Sequence, residues 1–169
     1  DGTFSAWLIA PLVVDEEEAE CLTGKNNSST IIRFSINAES NSKAGLFLVG
    51  GDAEVENWER VWQRNSKNKE RLQYNIMLSP HHCSWHSLSY DSWSDKKREA
   101  YVDPDARLAL AQATKNAFII ASSKAILDDD NDPPCIRAKE EYESILKDVD
   151  GTFLCTTDEC EDDVLTIEI

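Results

Sequence analysis

Histidine is almost missing from this chain: there are three in 169 residues, and His81, His82 and His86 all fall in one window, SPHHCSWHSLSYDSW (79–93). Positive charge is scarce too. With 17 Lys and Arg against 32 Asp and Glu, the formal net charge is −15. That argues against a surface for non-specific phosphate binding, which needs Lys and Arg to replace condensed counterions. It leaves nucleic acid open as a substrate, because a bound divalent ion neutralises phosphate locally. No apolar run reaches the ~18 residues of a membrane helix, so no membrane partner is expected. No basic segment leads into an apolar stretch at the start, so no signal peptide is expected. The five cysteines, Cys21, Cys83, Cys135, Cys155 and Cys160, include no C-x-x-C pair and have irregular spacing. This argues against a zinc knuckle or a secreted disulfide framework, and makes a reducing cytoplasm the default expectation. The acidic runs DEEEAE (15–20), DDDND (128–132) and DECEDD (158–163) read as solvated loops.

What is present is enough apolar residue, 41%, for a core. β-Branched and aromatic runs bounded by turn residues predict strands at 4–12, 30–36, 46–51, 74–79 and 117–122, with further strands in GTFLCT and VLTIEI near the end. NAESNSKAG reads as a turn, and SDKKREAYV as loop or short helix. A helix is predicted over 52–65, where Val55, Trp58 and Trp62 share a face with Val61 beside them. Another is predicted over 103–116, with Asp103 as N-cap and Pro104 in the first turn. A third is predicted over 133–149, with Asp132 as N-cap and Ala138, Tyr142, Ile145 and Leu146 on one face. The order predicts an α/β or α+β fold, a mixed sheet with helices on one face.

Two strand ends carry polar residues suited to chemistry. LFLVGGDAE runs into Gly50, Gly51 and Asp52; the aspartate reads either as a helix N-cap or as a carboxylate at a sheet's C-terminal edge, where α/β proteins build sites. NIMLSPHHCSWH runs into Pro80, His81 and His82, with His86 four residues on. Imidazole is the commonest zinc ligand among side chains, and carboxylates share such sites. Trp85, Tyr90 and Trp93 read as pocket-lining aromatics or as anchors of a long loop. Ser84 has no histidine–carboxylate pair evident in the sequence to activate it, which argues against a serine hydrolase.

Together, Asn26–Asn27–Ser28–Ser29, Gly51–Asp52 and Pro80–His81–His82–Cys83–Ser84 resemble the C-terminal half of a metallo-β-lactamase-fold hydrolase, most nearly the ComEC type, over roughly residues 6–125. The resemblance implies a four-layer αββα fold with one or two metal ions, zinc or manganese, between two sheets. It implies Asp52 as a metal-bridging aspartate and His81 or His82 as a late histidine ligand, with Asp52 and His82 carrying catalysis. A metal-bound water would attack a phosphoryl or carbonyl group. Ser84 and Trp85 would stand in the substrate pocket.

The chain departs from that pattern in three places. The glycine of the HHGS motif is Cys83, read as a small packing residue rather than a soft ligand. The late His-Pro is replaced by DDDNDPP (128–134), where Asp130 or Asp132 would have to substitute. The His-x-His-x-Asp-His motif does not occur. The expectation is therefore that residues 1–169 are the C-terminal half of the domain, with the N-terminal half absent. Asp52, His81 and His82, with His86 as a further candidate, fall short of the ligand set of a dinuclear site. The chain alone is expected to bind metal weakly and to hydrolyse nothing. It is also expected to expose an apolar sheet face that the missing half, or a second copy, would cover. The function implied is metal-dependent hydrolysis, with phosphodiester or nucleotide substrates favoured by analogy. The alternative is a non-catalytic α/β interaction module whose acidic surface meets a basic partner.

Overall fold

Alternation along the strands decides the architecture. A computed structural model describes residues 4–13, 26–38, 41–159 and 165–167. Six strands form one mixed sheet in sequence order: β1 (Phe4–Ala10), β2 (Ile31–Ala38), β3 (Asn41–Val49), β4 (Tyr74–Leu78), β5 (Ala113–Ala121) and β6 (Thr152–Cys155). The first two pairings are antiparallel and the last three are parallel. The parallel strands need crossovers, and helices supply them: α1 (Val55–Asn65) after β3, the short α2 (Trp93–Lys96) and α3 (Pro104–Leu110) after β4, and α4 (Ile136–Lys147) after β5. A last turn, α5 (Thr156–Glu159), follows β6. The mixed α/β class is as expected. No helix among the described residues is long and apolar enough to cross a membrane.

The two faces of the sheet differ. On one, Leu48, Met77 and Ile119 are paired across β3, β4 and β5 and are fully buried. They join Trp58 and Val61 of α1 and Tyr142 and Leu146 of α4 in a single core. On the other, Leu8, Ile32, Val49, Leu78, Ile120 and Leu154 form an apolar row across all six strands. Beside it runs Phe34–Phe47–Ile76–Phe118. Phe4, Phe34 and Phe47 stack in sequence at centroid distances of 5.7 and 6.2 Å. Of these residues only Ile120 is buried, and none belongs to the core under the helices. Leu8 and Ile36 keep 61% and 56% of their surface exposed. Among the described residues, this face has no layer over it.

Several boundaries move for reasons visible in the packing. The helix expected over 103–116 starts as read, with Asp103 accepting from the Ala106 N–H at 2.8 Å. It stops at Leu110, whose carbonyl accepts the Tyr74 hydroxyl at 2.7 Å. From Ala113 the chain joins the sheet, where the Thr114 hydroxyl donates to the Tyr74 carbonyl at 2.9 Å and accepts from Asn75 Nδ2 at the same distance. Sheet pairing overrides the helical tendency of AQATKN. The hairpin read as a long turn is tighter: β2 reaches Ala38 and β3 begins at Asn41. Asp132 does not cap α4; Cys135 stands at that position, without a side-chain bond. Of VLTIEI, residues 165–167 are not in a strand, and the rest lies outside the described residues, as do Cys21, Cys160 and the DEEEAE run.

Candidate functional site

The first strand end is built around a close approach. Gly50 sits where a Cβ would come within 2.5 Å of the Trp58 ring, so glycine is required there for α1 to pack. Gly51 takes φ +52°, a left-handed turn that glycine adopts without cost. Asp52 follows in the turn, exposed, and makes no hydrogen bond or ion pair among the described residues. It is not the N-cap of α1. That position belongs to Glu54, whose side chain caps nothing and accepts instead from Asn26 Nδ2 at 2.7 Å.

The second strand end is strained. His81, His82 and Cys83 follow Pro80 with φ of 48°, 55° and 67°, three successive non-glycine residues in the left-handed region. Each costs about 1–2 kcal/mol, so the surroundings must hold the turn in place. The His81 N–H donates to the Gly51 carbonyl at 2.9 Å, joining the two strand ends. The Cys135 N–H donates to the Cys83 carbonyl at 3.0 Å. His82 Nδ1 lies 2.8 Å from the Ser122 carbonyl beyond β5. Cys83, at the position where the pattern it resembles carries glycine, takes φ 67° and carries a buried thiol. Burial pushes that thiol well up from its ordinary range, with Cys135 adding to the effect. It is a packing residue.

The two leading histidines differ in readiness. A carbonyl only accepts, so His82 Nδ1 carries the proton and, in the neutral ring, Nε2 holds the free lone pair. This is the arrangement of a metal-ligating histidine held by its other nitrogen. Among the described residues His81 Nδ1 is buried without a hydrogen-bond partner, and Glu54 Oε1 lies 3.9 Å away. Glu54 was not legible as a site residue; its contacts come from Asn26 and His81, both 27 or more positions away in the chain.

The remaining candidates go elsewhere. Asp130 is exposed and pairs with Lys97. Asp132 Oδ1 accepts from the Ser84 hydroxyl at 2.7 Å and from the Trp85 N–H at 2.9 Å. His86 Nε2 lies 3.9 Å from Asp132 Oδ2. Ser84, His86 and Asp132 therefore stand together but in the wrong order for nucleophilic catalysis: the serine proton goes to the carboxylate, with no imidazole between. Ser84 and Trp85 were expected in a substrate pocket, yet both are fully buried and line no open surface. Trp85 packs edge-on against Trp93 at 6.5 Å, and Trp93 Nε1–H donates to the Asp129 carbonyl at 3.0 Å, so these aromatics anchor the loop. Tyr90 is held by Glu59 on α1.

Asp52 and the His81–His82 pair thus occupy neighbouring strand ends. No group of three or more His, Cys, Asp or Glu side chains among the described residues is arranged to hold a metal ion. No family model, curated protein or solved structure matches the chain.

Proposed function

We propose that this chain is the C-terminal half of a metal-dependent hydrolase domain of the metallo-β-lactamase type, acting on phosphodiester or nucleotide substrates. The observation that carries the reading is the junction of the two strand ends. The His81 N–H to Gly51 carbonyl bond brings the turn of Asp52, a carboxylate with no partner among the described residues, to a strained histidine pair at the C-terminal edge of a parallel sheet, the place where such sheets carry sites. Strain at a polar turn is a mark of function when the surroundings over-determine it.

Asp52 and His82 are the donors this chain would contribute toward zinc or manganese, with His82 Nδ1 anchored on Ser122; no three of its described side chains are arranged to hold an ion by themselves. A bound ion supplies Lewis-acid polarisation and an acidified water. Glu54, held by Asn26, places a carboxylate 3.9 Å from His81 Nδ1, beyond hydrogen-bonding distance. The remaining ligands come from an N-terminal half whose sheet covers the open apolar face; a second copy of the chain covers it when that half is absent.

Metal analysis of a polypeptide carrying both halves tests this. One or two ions per chain are expected, with at least half the content lost in both Asp52→Ala and His82→Ala. Unchanged content in both variants ends the proposal. The isolated 169-residue chain should show no tight stoichiometric zinc binding by equilibrium dialysis.

A further inference from the structure

We propose that a hollow beyond the C-terminal ends of β5 and β6 is an anion subsite that takes a phosphoryl group. The hollow has a volume of about 480 Å³ and lies between the Ser122–Lys124 turn, Pro133–Pro134 and Thr156, with the His82 ring on its wall. That volume is in the range of small-molecule sites and exceeds what a lone phosphate needs.

Two of its donors have no partner among the described residues, while the Ser123 and Thr156 hydroxyls and His82 Nδ1 are engaged with backbone carbonyls. Among the described residues Lys124 makes no ion pair and the Ser122 hydroxyl makes no hydrogen bond. Three carboxylates of the acidic loop that follows are engaged with other groups. Asp130 pairs with Lys97, Asp129 accepts from Asn131, and Asp132 accepts from Ser84 and Trp85. The turn that carries Lys124 is held from below: the Thr157 hydroxyl donates to the Ser123 carbonyl at 2.7 Å, and the Ser123 hydroxyl to the Lys124 carbonyl at 2.9 Å. The two prolines contribute an apolar wall with no N–H of their own. A held turn bearing an ammonium and a hydroxyl without partners among the described residues, beside an apolar wall, suits the phosphate end of a larger molecule.

This deepens the hydrolase reading by naming where the substrate's phosphoryl group is held, next to His82, but anion binding itself requires no metal. The test is therefore run with the 169-residue chain in EDTA at constant ionic strength. Inorganic phosphate and a nucleoside 5′-monophosphate are titrated separately and followed by amide shifts. Saturable shifts at residues 122–124 and 156 are expected, weakened at least about tenfold in Lys124→Ala and retained in Lys124→Arg. Tighter binding of the mononucleotide assigns a nucleotide-type ligand; equal binding assigns phosphate alone, and either supports the subsite. Absence of saturable shifts there, or equal affinity in Lys124→Ala, overturns it. Because no metal is present, a failed metal-content test leaves this result standing, and the reverse also holds.

Discussion

Asp132 shows how one side chain can be misread when its partners are far away in sequence. Beside PP and ahead of a helix it has the local chemistry of an N-cap, yet Ser84 and the Trp85 N–H, 47 or more positions away, claim its Oδ1. Its side chain is only 10% exposed, so the bonds are made largely out of water. Asp132→Ala should strand a buried hydroxyl and a buried N–H, at a combined cost of about 2–4 kcal/mol. Asp132→Asn keeps the Oδ1 acceptor and should cost about 1 kcal/mol. Urea unfolding of the two variants separates these outcomes, and equal losses would show that the carboxylate's charge, not its acceptor geometry, holds the loop.

The β3–α1 junction shows the same dependence on contact at the scale of elements. Trp58 is fully buried, and its Nε1–H donates to the Ala53 carbonyl at 3.1 Å, which fixes the helix against the strand end. Gly50→Ala would drive a methyl group into that ring, and overpacking of this kind costs about 1–3 kcal/mol. The double variant Gly50→Ala/Trp58→Phe should lose less than the sum of the single variants, as a thermal or urea double-mutant cycle would register. Full additivity would mean that the clash is relieved elsewhere. The helix itself was readable from the spacing of Val55, Trp58, Val61 and Trp62, and so was the face of α4 bearing Ala138, Tyr142, Ile145 and Leu146. Both are periodic patterns that local sequence records. The end of α3 at Leu110 was not readable, because it depends on Tyr74 and Asn75 from another strand. Of the candidate site, Gly51, Asp52, His81 and His82 were visible at strand ends. Glu54, Ser122 and Lys124 were hidden because only the fold brings them to those ends.

At the scale of the whole molecule, the open sheet face is the strongest constraint on what this chain does. A sheet with a partly exposed apolar row across six strands, on a face that no layer covers among the described residues, points to an interface, since exposed apolar patches mark such sites. Adjacent residues on β3 provide an internal control. Leu48 points into the core and Phe47 onto the open face, stacked on Phe34. Leu48→Ser should cost about 3–5 kcal/mol, through a lost leucine and a buried hydroxyl. Phe47→Ser should cost only about 1 kcal/mol, the order of one aromatic pair. The association behaviour should run the other way. In sedimentation experiments the chain should gain mass with concentration, the Phe34→Ser/Phe47→Ser variant should remain monomeric, and addition of the covering half should abolish self-association by occupying the same face. A Phe47→Ser variant as unstable as Leu48→Ser would mean that this face is already covered within the chain. The need for a second sheet, and with it the proposal of a half-domain, would then fall.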